Sequence, residues 1–190
     1  MLRLSDEKIN IKHWKNLAGS LTKYKVADRF LTEEECEEAV FQSNWELGYR
    51  CPNCQFEDGI WSLKTRRMYQ CPRCRHQYSV RADNPLKGKR ASILNCFKGA
   101  EWMIVTIASN KLGLLTIKTF AKTVDLSYRP ARTLRLEMFE ELKKPLGGFW
   151  GRLICTAEVD ESLYIGGRLD ELLEYYDFDD VKTPFTKLGK

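Results

Sequence analysis

Four of the seven cysteines in this chain form two C-x-x-C pairs, Cys51-Pro-Asn-Cys54 and Cys71-Pro-Arg-Cys74, separated by sixteen residues. Two such pairs at this spacing can bring four thiolates onto one tetrahedral metal ion, which is the pattern of a structural zinc ribbon. Paired cysteines can also hold a mononuclear iron, but the surrounding arginines and lysines give no reason for a redox function, so zinc is the predicted ion. Redox-active cysteine pairs are disfavoured because neither pair opens a helix after a strand. His76 lies nearby, but four thiols already complete the coordination shell.

Short strands are predicted to position these cysteines. Residues 60–63 and 67–70 predict two strands joined by a basic turn at 64–66, and residues 76–80 predict a third. About 35 residues cannot bury enough core to fold alone, so the metal must supply the stability. The ligand of the ribbon stays open at this point, because ribbons of this kind bind DNA, RNA or protein.

The charge of the chain is unevenly distributed. Residues 51–155 carry 19 basic and 8 acidic side chains, whereas residues 1–50 have a net charge of −1 and residues 156–190 have a net charge of −5. A basic middle section between neutral and acidic segments indicates a polyanion-binding module. A solvated basic surface without a partner is the alternative. No apolar run approaches the roughly 20 residues of a membrane helix, so the sequence predicts a cytoplasmic protein whose cysteines are reduced.

Helices are predicted on both sides of the ribbon. The first fifty residues predict a helix at about 8–17 and a second one that begins with a capping box, in which Thr32 is followed by Glu35. Cys36 in that helix is interpreted as a small core residue. After the ribbon, residues 89–109 predict a long amphipathic helix.

A helix-turn-helix pattern follows in residues 116–142, where two helical segments are broken at residues 125–127. Asp125 would adopt a left-handed conformation in the turn, and Ser127 would cap the second helix. Four residues of the second helix would face inward: Ala131, Leu134, Met138 and Leu142. A plain helical hairpin with a solvated basic face is the alternative.

Basic residues in the turn of the ribbon and in the two helices are candidates for DNA contacts, because a recognition helix needs arginines that reach phosphates and guanine edges. These candidates are Lys64, Arg66, Arg67, Lys118, Lys122, Arg129, Arg132 and Arg135.

The character of the sequence changes after the glycine pair at 147–148. Residues 152–160 predict a strand that ends in carboxylates, and a turn then leads into a second strand. Acids at the end of a buried strand are a usual place for a divalent metal in phosphoryl-transfer enzymes. Cys155 on this strand is interpreted as a core residue.

Three motifs in this order resemble those of insertion-sequence DDE transposases with an N-terminal zinc ribbon. The ribbon motif is similar over Cys51-Pro-x-Cys54, Tyr69-x-Cys71-Pro-x-Cys74 and Gln77-Tyr-Ser79. The helical motif is similar over Leu126-Ser-Tyr-Arg-x-Ala131, and the strand motif over Val159-Asp-Glu to Tyr164-Ile-Gly-Gly167. The resemblance covers roughly residues 30–168. Residues 81–84 depart from it, because they lack the Gly-Thr that is usual there.

The resemblance implies a ribonuclease-H-like catalytic domain with Asp160 as its first metal-binding acid. The family's later catalytic residues have no counterpart before Lys190, so we expect a copy truncated after the first catalytic strand. Mg²⁺ or Mn²⁺ would bind only to a complete catalytic domain, whereas Zn²⁺ would be structural. The expected fold class is α+β in several modules: a helical N-terminal segment at 1–47, the ribbon at 48–84, the helix-turn-helix-like module at 85–146, and the incomplete ribonuclease-H-like domain at 147–190.

Three functional interpretations follow. The first is a transposase, or a truncated remnant of one, that binds double-stranded DNA of an insertion element for DNA transposition. The second is a non-catalytic zinc-ribbon DNA-binding regulator, and the third is a zinc-ribbon protein–protein adaptor. The DNA-binding interpretations allow a homo-oligomer, and they imply neither binding to a membrane nor a small-molecule substrate. Whether the chain is an enzyme stays undecided.

Overall fold

The computed structural model describes residues 10–155 apart from residues 23, 46 and 47. Asp160 and the side chain of Lys64 lie outside the described part of the chain. The described helices are α1 (Ile11–Ser20), α2 (Val26–Arg29), α3 (Glu33–Asn44), α4 (Ile93–Ala108), α5 (Ile117–Thr123), α6 (Tyr128–Leu142) and α7 (Gly148–Ile154). The strands β1 (Trp61–Leu63), β2 (Met68–Gln70) and β3 (Gln77–Tyr78) form one antiparallel sheet in the order β1-β2-β3. The predicted combination of helices with a small sheet is therefore confirmed. No described helix combines the length and apolar character needed to span a bilayer.

Helix α4 is the central element of the described core. It begins after Ser92, whose hydroxyl oxygen accepts a hydrogen bond from the backbone N–H of Asn95 at 3.2 Å. Most of its side chains are buried, as expected for a helix that is apolar on nearly all sides. It contacts α1, α2, α3, α5, α6 and α7. Helices from the N-terminal segment and from the region after the ribbon therefore share one hydrophobic core.

Gly99 allows α5 to approach α4 closely. A Cβ atom at this position would lie 2.6 Å from Cγ1 of Val124 and 3.2 Å from Cε2 of Phe120. Such distances are below van der Waals contact, so any side chain here would force the two helices apart. The contact places the α5–α6 pair on the central helix.

Helices α5 and α6 confirm the predicted break in the helical pattern. Residues 124–127 separate them, and Asp125 has a φ of +51°, which is the left-handed conformation expected of it. Ser127 occupies the N-cap position of α6, although its side chain makes no capping hydrogen bond. The predicted inward stripe is confirmed, because all four of its residues are buried: Ala131, Leu134, Met138 and Leu142.

The strand predicted at 152–160 is wrong over residues 152–154, because residues 148–154 form helix α7. Cys155 is extended and forms an isolated antiparallel bridge with Leu21. A side chain of α6 caps the first turn of α7, since Oε1 of Glu141 accepts a hydrogen bond from the N–H of Phe149 at 3.0 Å. Phe149, Trp150, Leu153 and Ile154 are buried, and this spacing forms one face of a helix. Packing of this face outweighs the β-propensity of the short apolar run.

Candidate metal centre and nucleic-acid interface

Both cysteine pairs have the same backbone geometry. In the first, the N–H of Cys51 donates to the carbonyl of Phe56 at 2.9 Å, and the N–H of Gln55 donates to the carbonyl of Cys51 at 2.9 Å. In the second, the N–H of Cys71 donates to His76 at 2.9 Å and the N–H of Arg75 donates to Cys71 at 3.0 Å. Each pair is therefore a tight turn that directs both sulfurs to the same side.

The four thiols converge on one point. The Sγ atoms of Cys51 and Cys74 are 3.6 Å apart, those of Cys54 and Cys71 are 3.7 Å apart, and all four lie within 4.8 Å of one another. A tetrahedral zinc with Zn–S bonds of about 2.3 Å has S···S separations of about 3.8 Å. The four cysteines therefore fit a structural zinc site. Within the described residues they are the one cluster of His, Cys, Asp or Glu with this property.

The backbone around the sulfurs favours thiolates. Burial opposes ionisation of Cys51, but hydrogen bonds from the backbone N–H groups of Cys54 and Asn53 outweigh it and lower the pKa of this thiol to about 6. The side chain of Asn53 also hydrogen-bonds Cys74 and, with the N–H of His76, lowers the pKa of that thiol. By contrast, burial raises the pKa of Cys54 to about 12. Four thiolates in this space repel one another, so a divalent cation is what allows all of them to ionise.

Helix α3 provides the packing surface that the small sheet lacks. Phe41 on α3 stacks on Tyr69 of β2 with ring centroids 4.4 Å apart. Trp45 and Tyr49, which follow α3, both contact the ring of Tyr78 on β3 at 5.9 Å. Sequence reasoning missed this arrangement. The signal was the four-residue spacing of aromatic residues at positions 41, 45 and 49, which continues across the end of the helix.

Arg67, one of the predicted DNA contacts, is paired with α3. Its guanidinium lies 3.3 Å from the carboxylate of Glu34 and 3.6 Å from that of Glu37. Arg66 is exposed in the turn before it, and Lys64 contributes its backbone to the same turn. The basic turn thus has one arginine that attaches it to α3 and one that points to solvent.

Glu33 and Arg81 connect the ribbon region to the helical core, and sequence reasoning missed both. The carboxylate of Glu33 accepts hydrogen bonds from the N–H groups of Ile93 and Leu94, at 2.7 and 3.2 Å, and so caps helix α4. Arg81 donates to this carboxylate at 2.9 Å and to the carbonyl of Ala91 at 2.9 Å. The positive end of the α4 dipole and the guanidinium thus share one carboxylate.

The basic candidates on α5 and α6 fall into two groups. Exposed side chains form the first group, which consists of Lys118, Lys122, Arg129 and Arg132. Arg135 differs from them because its guanidinium donates to the carbonyl of Leu115, before α5, and because burial lowers its pKa. Arg135 therefore links α6 to the segment that precedes α5.

Of the remaining cysteines, Cys36 and Cys96 lie in the core, and Cys155 is partly buried against it. Burial raises the pKa of Cys36 and of Cys96 to about 12, and that of Cys155 to about 11. The interpretation of Cys36 as a core residue is confirmed, since it is fully buried. His76 is exposed, and its ring stacks on Tyr78 with centroids 6.3 Å apart.

Comparison with known proteins identifies the ribbon. Residues 31–77, about a quarter of the chain, match the family model of the transposase zinc-ribbon domain. No curated protein and no solved structure matches the chain. The matched segment contains α3, both cysteine pairs, β1, β2 and the first residue of β3. The stacking of Phe41 on Tyr69 lies within it, and Tyr78, which Trp45 and Tyr49 contact, directly follows it. Residues 31–77 therefore match a zinc-ribbon domain of the transposase type.

Proposed function

We propose that this protein binds double-stranded DNA in transposition, with the zinc ribbon and the α5–α6 pair as its two DNA-contacting parts. The observation that carries the proposal is the match of residues 31–77 to the transposase zinc-ribbon domain. A net charge of +11 over residues 51–155 supports a polyanionic partner.

The geometry of α5 and α6 supports a helix-turn-helix role. A four-residue turn joins the two helices, α6 buries one stripe, and its exposed N-terminal half carries Arg129 and Arg132. A recognition helix presents such side chains to the phosphates and base edges of the major groove from its first turns. Lys118 and Lys122 on α5 are exposed as well and would contact phosphates beside that groove.

The connection through Glu33 and Arg81 supports a single binding unit. Because Glu33 at the start of α3 caps α4, the ribbon and the helical core are joined by charged hydrogen bonds. Two DNA-contacting parts held in this way bind neighbouring stretches of one duplex at lower entropic cost than parts joined by a flexible linker.

Catalysis is a separate part of the proposal and rests on the resemblance alone. Asp160 would be the first acid of a metal site that activates an attacking oxygen in phosphoryl transfer on DNA. Partner carboxylates from other strands are needed for such a site. In an intact relative that has these carboxylates, replacement of the acid at the position of Asp160 by Asn would abolish metal-dependent strand cleavage, whereas the 190-residue chain should bind DNA without cleaving it.

A salt series tests duplex binding. The affinity for a mixed-sequence duplex should fall linearly on a log–log plot against salt, because each neutralised phosphate releases counterions. The double variant Arg129→Ala/Arg132→Ala should reduce the slope by about 2, since each lost phosphate contact lowers it by roughly 1. Lys12→Ala/Lys15→Ala on α1 is the charge-matched control and should leave the slope unchanged. Absence of duplex binding at low salt would contradict the proposal and favour the protein–protein adaptor.

A further inference from the structure

The face of the ribbon sheet that points away from α3 carries an exposed tryptophan. Trp61 pairs in register with Gln70, which pairs with Gln77, so these three residues share one face of the sheet. Tyr69 lies on the opposite face, because its ring stacks on Phe41 of α3. Trp61 belongs to the edge strand β1, and its residue surface is 45% exposed.

An arginine from the second cysteine pair covers part of this ring. The guanidinium carbon of Arg75 lies 4.5 Å from the centroid of Trp61. The loop that carries Arg75 is attached to β2, since the side-chain amide of Gln70 donates to the carbonyl of Arg75 at 3.2 Å. The guanidinium is thus held over the indole by the sheet and by the metal-binding turn.

The basic residues of the ribbon favour an anionic ligand. Arg50 and Arg67 are paired with carboxylates. Arg66, Arg73 and Arg75, in contrast, make no ion pair with a carboxylate in the part of the chain that the structure describes. An acidic peptide would satisfy these charges but would leave the exposed indole without a planar partner. A nucleotide satisfies both, because it combines a phosphate with a base.

We propose that Trp61 and Arg75 form a stacking site for unpaired nucleotides of a DNA strand. Aromatic rings and guanidinium planes both stack on bases, and nearby cations follow the backbone of the strand. Within an intact duplex the faces of each base are covered by its neighbours. An exposed ring at a sheet edge therefore stacks on a base that has left the duplex.

This site deepens the proposed function, on which it rests, by adding a contact for a separated strand to the duplex contacts of α5 and α6. The two contacts use different residues, which lie on the ribbon and on α6. They can therefore be removed one at a time, and the failure of one proposal is distinguishable from the failure of the other.

Fluorescence anisotropy of the full chain with a labelled single strand, and with the blunt duplex of the same sequence, tests the site. Trp61→Ala should weaken single-strand binding by about tenfold or more, and Trp61→Phe should restore most of it because a ring remains. Arg75→Lys keeps the charge but loses the planar group, and it should weaken single-strand binding less than Trp61→Ala. Tyr24→Ala removes an exposed aromatic residue outside the ribbon, 64% exposed, and should have no effect.

Each outcome is decisive when the zinc content shows that the variant ribbon is folded. Loss of single-strand affinity in Trp61→Ala with unchanged duplex affinity supports the site, even if the duplex proposal fails in the Arg129→Ala/Arg132→Ala variant. Equal loss for the single strand and the duplex overturns it, because the ring would then serve duplex binding. Unchanged single-strand affinity in Trp61→Ala, or no single-strand binding by the unmodified chain, overturns it as well.

Discussion

Arg81 donates a hydrogen bond to the carboxylate of Glu33 at a distance of 2.9 Å, across 48 residues of sequence. The same carboxylate accepts hydrogen bonds from the hydroxyl of Ser92 at 2.8 Å and from two backbone N–H groups of α4. One acidic side chain at the start of α3 therefore fixes both the segment that leaves the ribbon and the beginning of the central helix. The position of the ribbon on the helical core therefore depends on this residue as well as on the packing of α3 against α4.

Replacement of Glu33 by Ala should lower the free energy of unfolding by about 2–3 kcal/mol, because several charged hydrogen bonds are lost and the partners stay half-buried. Glu34→Ala is the matched control. Glu34 is an exposed neighbour that pairs with Arg67, and its loss should change stability by less than about 0.5 kcal/mol. Urea denaturation measures both. Equal effects of the two variants would show that Glu33 does not connect the ribbon to α4.

Replacement of Gly99 by Ala should destabilise the protein by about 1–3 kcal/mol, although Ala normally favours a helix. The reason is the short distance of 2.6 Å from the added Cβ to Val124. Val124→Ala removes the clashing methyl groups, so the double variant should be less destabilised than the sum of the single variants. Additive effects would contradict the close packing of α4 and α5.

Arg135 and Arg132 should behave differently although they lie one turn apart on α6. Arg135→Ala removes the hydrogen bond to the carbonyl of Leu115 and should cost about 1–2 kcal/mol of stability. Arg132 is exposed, so Arg132→Ala should leave stability nearly unchanged and should lower the salt slope of duplex binding by about 1. Thermal unfolding and a salt series distinguish the two. The opposite pattern would identify Arg135 as a DNA contact.

Glu141, which links α6 to α7, should stabilise the protein at neutral pH and lose this effect at acid pH. Burial alone would raise the pKa of Glu141. Hydrogen bonds from Lys144 and from the N–H of Phe149 outweigh this effect and lower the pKa. A lowered pKa means that the stabilisation is present above the ordinary value of 4.5 and is lost as the pH falls below it. Glu141→Gln should therefore be about 1 kcal/mol less stable than the unmodified chain at neutral pH, and the difference should shrink below pH 4.5. A difference that is constant with pH would contradict this role.

Local patterns in the sequence predicted the features that depend on local geometry. The cysteine spacing predicted the converging thiols, and the capping box was predicted correctly, since Thr32 accepts from the N–H of Glu35 at 3.2 Å and Glu35 accepts from the N–H of Thr32 at 3.1 Å. Such bonds form between residues three positions apart. The left-handed Asp125 is a local feature of the same kind.

Features that depend on distant partners could not be predicted in this way. The role of Glu33 requires residues about 60 positions away, and nothing in its own neighbourhood distinguishes it from the acids that follow. The last residues of α7, 152–154, were predicted as the start of a strand because their short apolar run has no pattern of its own that excludes either state. The capping carboxylate of Glu141 and the burial of Trp150 decide between them.

The central claim is that Cys51, Cys54, Cys71 and Cys74 hold one structural zinc ion, and elemental analysis of the purified chain tests it most directly. We expect one zinc per chain, loss of the metal in Cys74→Ser, and retention in Cys36→Ser, which changes a buried thiol outside the site. Protein without zinc, or with iron in its place, would contradict the claim.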